Sequence, residues 1–198
     1  MKREVDLNKE NHIIRITQDS DPESPDAWGN EDMFLVYDHS QFTVTREGFE
    51  PSSIYKYLQL CSYPETIDLR DDDFDKYWIF PVYAYIHSGV SLSLTHQGCK
   101  WDVSSTGFIL VEKPVFITEP EATYYAKGLI DAWNQYLSGN VYRFEIIEKK
   151  MCNHCGTIEE LEHDSLSGFY GELNDELIDD MLSYTKYKLS KVITKENV

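Results

Sequence analysis

Apolar positions recur along this chain with two periods, and the shift between them divides it into strands and helices. IIRITQ (13–18) and MFLVYDH (33–39) read as strands, and QFTVTREGF (41–49) alternates Phe42 and Val44 with polar neighbours. GFILVEKPVFI (107–117) and VYRFEII (141–147) repeat the pattern. Between the first two, DSDPESPDAWGNED has the acids, prolines and glycine of a loop.

The most specific local expectation is a hairpin at 77–95. YWIFPVYAYI and VSLSLT flank His87-Ser88-Gly89, and closing that turn pairs Ile86 with Val90, Ala84 with Leu92, and Val82 with Leu94. One face is then apolar, with Trp78 and Phe80 sharing its parity, while Tyr83 and Tyr85 oppose Ser91 and Ser93 on the other. Pro81 predicts an edge or a bulge nearby.

Helical spacing appears after Pro51, where Ile54, Tyr57, Leu58 and Cys61 share a face. It returns after the capping sequence Thr118-Glu119-Pro120-Glu121, with Ala122, Ala126, Leu129, Trp133 and Leu137 as its stripe and Gly139 as its stop. A last helix is expected from Asn174, through Leu177, Met181, Leu182, Thr185 and Leu189. No repeat or linker composition interrupts the chain. These elements predict one domain over 1–198 of the α+β class, a largely antiparallel sheet with two main helices packed on it.

Charge changes the picture more than size does. The 198 residues carry 35 Asp plus Glu against 18 Lys plus Arg, a net charge of −17, yet 14% are aromatic, which excludes a disordered acidic tail. Such a surface opposes nucleic acid and anionic lipid and favours a basic partner. No apolar run approaches a membrane span and MKREVDLNKENH has no apolar signal core, so a cytosolic protein with reduced thiols is expected.

Candidate chemistry is sparse. Cys152 and Cys155 form a C-x-x-C knuckle around His154. With His163 and one further ligand they would make a zinc set, and a reduced turn ending the strand at 147 explains them equally well. His87-Ser88 and Cys99 with Asp102 suggest a nucleophile, but Ser-Gly after His87 is ordinary turn chemistry. No phosphate loop, nucleotide fingerprint or serine elbow is present. Neither an enzyme nor a cofactor is expected.

The acids fall in four segments: 19–32, 68–75, 159–164 and 172–180. Asp71, Asp72, Asp73 and Asp75 lack the glycine and distal glutamate of a calcium loop. Their expected role is electrostatic steering, with nearby aromatics holding the partner. The candidate binding residues are Asp71, Asp72, Asp73, Phe74, Tyr77, Tyr83 and Tyr85.

ESPDAW (23–28), FPVYAYIHSG (80–89), CKWDVSSTGFI (99–109), YLSGNVYRFEI (136–146) and DSLSGFYG (164–171) resemble segments of a family of uncharacterised bacteriophage proteins, over about three quarters of the chain. Within it, length and acidity are similar to staphylococcal lytic-phage proteins that bind domain 4 of the host primary sigma factor. The resemblance implies an inhibitor of host transcription that stays on the RNA polymerase holoenzyme in the bacterial cytoplasm. Its targets would be promoters that depend on upstream DNA contacts by the carboxy-terminal domain of the polymerase alpha subunit. The competing expectation is an acidic DNA mimic that inhibits a restriction or other DNA-binding defence enzyme.

Overall fold

The computed structural model describes residues 2–61, 72–86, 89–96, 103–113 and 118–188. In chain order the elements begin with β1 (Lys2–Asp6), β2 (His12–Gln18), a 3₁₀ turn (Pro25–Trp28), β3 (Met33–His39), β4 (Phe42–Val44), α1 (Pro51–Cys61) and α2 (Asp72–Asp75). They continue with β5 (Tyr77–Ile86), β6 (Val90–Ser93), β7 (Val103–Glu112), α3 (Glu119–Leu137), β8 (Val141–Met151), β9 (Ile158–Tyr170) and α4 (Asp175–Ser183).

These elements form two sheets, where the sequence pattern predicts one. The chain divides into two compact units: Met1–Glu23 with Gly139–Val198, and the intervening Ser24–Ser138. Every strand pairing among the described residues is antiparallel, so the α+β class holds at the level of helices and antiparallel sheets. Among the described residues three helices longer than two turns, α1, α3 and α4, take the place of the two expected.

The intervening unit has strand order β4-β3-β7-β5-β6. Its central strands are apolar on both faces because both are covered. Leu35, Tyr37, Val82, Ala84, Ile109 and Val111 pack against Ala122, Ala126, Leu129, Ile130 and Trp133 of α3. Phe34, Val36, Phe108 and Leu110 face Ile54 and Tyr57 of α1 and Phe74 of α2. Each such side chain contributes about 1.5–3 kcal/mol when fully buried.

The hairpin register agrees at Ile86 with Val90 and Ala84 with Leu92, and β6 ends at Ser93, before Leu94 can pair. Its apolar face packs toward α3, with Trp78, Phe80 and Ile86 partly buried there. The irregularity anticipated at Pro81 lies one step on, between Val82 and Ala84 opposite β7. Helix α3 starts where the capping sequence predicts: the Glu121 carboxylate accepts from Thr118 N–H at 2.8 Å and from its hydroxyl at 3.0 Å. Those bonds hold the Glu121 carboxyl below its ordinary value.

The unit built from both ends of the chain has strand order β1-β2-β8-β9. Ile14, Ile16, Phe144, Ile146 and Phe169 form its core with Ile178, Met181 and Leu182 of α4 and with Tyr187. The Asn174 side chain caps α4 by accepting Leu177 N–H at 2.9 Å. The helix stops at Ser183, before Thr185 of the predicted stripe, while Leu189 lies outside the described residues, and Ile178 replaces Leu177 at the head of its buried stripe. Gly139 adopts φ 71°, as a helix stop requires, and its carbonyl accepts from Gln18 at 2.7 Å.

Candidate partner-binding surface

β8 and β9 form a long hairpin whose turn is closed by Cys152 N–H to Thr157 O (2.7 Å) and Gly156 N–H to Cys152 O (2.9 Å). Gly156, at φ 71°, supplies the left-handed residue that this turn needs. β9 is the outer strand of its sheet, and every residue from Ile158 to Gly168 is exposed. That exposure explains its composition: with no described helix covering Ile158–Gly168, neither face there needs to be apolar.

From 158 to 183 the sequence carries nine acids, Glu159, Glu160, Glu162, Asp164, Glu172, Asp175, Glu176, Asp179 and Asp180, and no Lys or Arg. All nine are exposed. Arg15 neutralises Glu160 at 2.7 Å and Arg3 neutralises Asp175 at 2.8 Å. Among these acids stand the exposed apolar side chains Ile158, Leu161, Leu166 and Tyr184, with Met151 at the hairpin end. The Tyr184 ring packs edge-on against Phe169 at 5.6 Å, which joins the end of α4 to β9. Acids interspersed with exposed apolar groups make a surface able to steer and then hold a basic protein.

Arg15 anchors the strand beneath this surface. It donates to Glu4 on β1 at 2.8 Å and to Glu160 on β9 at 2.7 Å, spanning the sheet. Both bonds raise the guanidinium's affinity for its proton above the ordinary value. Glu160 and Glu4 are held below theirs, first of all by Arg15.

The residues nominated from sequence fall elsewhere. Phe74 and Tyr77 are buried, in a cluster with Phe34, Phe49 and Tyr57, so they fasten α2 and β5 to the sheet and a partner has no access to their rings. Tyr83 and Tyr85 are half-buried; Tyr83 packs edge-on against His96 at 5.5 Å, and the buried Tyr85 hydroxyl has no partner among the described residues. Asp72 and Asp73 lie in α2, and Asp71 lies outside the described residues. Asp75 closes that run structurally: its carboxylate accepts the Tyr57 hydroxyl, and its carbonyl accepts from Lys113 Nζ at 2.9 Å.

Cys152 and Cys155 sit at the hairpin turn as free thiols, and His163 lies far along β9, beside Ile146 and Ile147 of β8. Five strand residues at about 3.3 Å each separate them, so the three do not share an ion. Hydrogen bonding to Thr157, whose hydroxyl is 2.8 Å from the sulfur, lowers the Cys155 thiol to about 7. His87, Ser88, Cys99 and Asp102 lie outside the described residues.

Sequence reasoning noted the acids of 159–164 and 172–180 but not the strand that displays the first group. IEELEHDSLSG lacks the alternation that marks a half-buried strand, and its one readable signal is apolar Ile158, Leu161 and Leu166 stranded among acids. No described helix is long and apolar enough to cross a membrane. Comparison with protein-family models, with curated proteins and with solved structures finds no match.

Proposed function

We propose that this chain acts by binding, as an acidic module whose β9–α4 surface docks on a basic protein. The observation that carries the reading is the exposed strand β9, with Glu159, Glu162 and Asp164 set among Leu161, Leu166 and Ile158. The charges accelerate encounter, and the apolar groups, together with Tyr184, provide the contact that persists after it.

The resemblance to phage proteins supplies the partner: domain 4 of the host primary sigma factor, within the RNA polymerase holoenzyme in the host cytoplasm. That domain is a helix-turn-helix module that must carry basic surface to meet DNA. A protein seated on it inhibits transcription by occlusion and needs neither a catalytic step nor a cofactor.

Affinity capture from staphylococcal lysate at low and moderate salt, with mass spectrometry of the retained proteins, tests the proposal. RNA polymerase and its primary sigma factor are expected at both salt levels. Their absence would overturn it. Retention of a restriction or other DNA-binding enzyme instead, displaced by added DNA and lost steeply with salt, would identify a DNA mimic.

A further inference from the structure

Three metal-capable side chains from three adjacent strands converge on the α4-facing side of the sheet built from both chain ends. His12 opens β2, Glu148 lies opposite it on β8, and His163 comes from β9. The pairing register shifts between Ile146 and Ile147: Asp164 and Glu162 take consecutive partners, and His163 is the extra residue between them. A bulge of this kind re-aims a side chain. Here it brings His163 Nε2 to 2.9 Å from Glu148 Oε2 and stacks its ring on His12 at 5.3 Å.

His12 carries the stronger indication. It is 2% exposed, and its Nδ1 lies 2.8 Å from the carbonyl oxygen of Glu10. A carbonyl only accepts, so Nδ1 holds a hydrogen, and in the neutral ring Nε2 then presents a lone pair. That Nε2 is buried and has no hydrogen-bond partner among the described residues, a costly condition for a polar atom in a folded protein. The Tyr187 ring, stacked on the imidazole at 5.5 Å, fixes its plane. An imidazole held through one nitrogen by a backbone carbonyl, with the other nitrogen free, is the arrangement of a metal-bound histidine.

We propose that His12 Nε2, His163 Nε2 and a Glu148 carboxylate oxygen bind a divalent zinc-class ion. One potential ligand atom from each of the three residues lies within 4.8 Å of those from the other two. Tetrahedral zinc with bonds near 2.0–2.1 Å needs ligand separations of about 3.3 Å: the 2.9 Å His163–Glu148 pair must open slightly and the wider separations must close, which rotation of the His163 and Glu148 side chains can supply. Lys150 is the competing cation, 3.3 Å from the same Glu148 oxygen, and its half-exposed side chain can swing into solvent as the ion enters. Two imidazoles and one carboxylate leave a fourth position open, for water or for a donor from a bound partner. The ion clamps the bulge of β9 to β2 and so stiffens the edge strand.

The test titrates the tag-free full chain with Zn²⁺ against a chromogenic chelator, and with Co²⁺ for its absorption spectrum. One ion per chain is expected, with no sulfur-to-cobalt charge-transfer band and with the His12 Nε2 nitrogen resonance shifted on Zn²⁺ addition. His163→Ala, at the surface, and Glu148→Gln, half-buried, should each weaken binding about tenfold or more. The double variant Cys152→Ser/Cys155→Ser should bind as the parent does. Failure to take up Zn²⁺ at micromolar concentration, undiminished affinity in the first two variants, or loss of binding in the cysteine variant would overturn the site.

Discussion

The ring of Tyr37 lies against Gly107, its partner across the β3–β7 pairing: a Cβ built at that glycine would stand 2.0 Å from Tyr37 Cδ2. Tyr37 is fully buried, so its ring has no solvent to retreat into. Gly107→Ala is therefore expected to destabilise the intervening unit by about 1–3 kcal/mol, the usual cost of overpacking. Urea unfolding checks this, and the same substitution in a Tyr37→Leu background should cost less. Equal costs in the two backgrounds would show that the ring is not the obstacle.

Asn134 ties α3 to β6. Its side-chain oxygen accepts Leu92 N–H at 2.7 Å and its side-chain nitrogen donates to Leu92 O at 2.9 Å, so the amide satisfies the outer side of an edge strand as a neighbouring strand would. Asn134→Leu removes both bonds and is expected to cost about 1–3 kcal/mol. Hydrogen exchange at Leu92 N–H should accelerate in step. Unchanged protection there would contradict the role.

Acid should weaken the sheet that carries β9. Arg15, with Lys2 and Lys149, lowers the Glu4 carboxyl from 4.5 to about 2. The folded state thus binds this proton less readily than the unfolded chain. Its stabilisation is complete above about 4.5 and is lost as the pH falls toward about 2. Glu4 is part-exposed, and solvent screening holds the effect to on the order of 1 kcal/mol. Glu4→Gln should be less stable than the parent by that amount at neutral pH, with the two stability curves converging in acid. Curves that stay parallel would exclude the linkage.

How much of this was legible in the sequence depended on how far each element alternates. The β5–β6 hairpin and α3 were readable because their buried positions hold the periods of two and 3.6 without interruption. β1 and β9 were not, since outer strands such as KREVD and IEELEHDSLSG need no apolar face. The division into two units left no trace either: composition does not change at 23–24 or 138–139, and the cores separate only once β2 finds β8 across the intervening segment.

Phe74 and Tyr77 were misleading because they follow an acid run. Their packing with Phe34 and Phe49 depends on a fold that spacing alone does not reveal. His12 and His163 lie at opposite ends of the chain, and only the β2-β8-β9 adjacency joins them.

The binding proposal rests on charge that steers and apolar groups that hold, and association kinetics with purified sigma domain 4 separate the two most directly. The triple variant Glu159→Gln/Glu162→Gln/Asp164→Asn should slow association about tenfold at low salt while leaving dissociation nearly unchanged. Tyr184→Ala should instead speed dissociation. No binding of domain 4 by the parent protein, or a triple variant that associates as fast as the parent, would contradict the account.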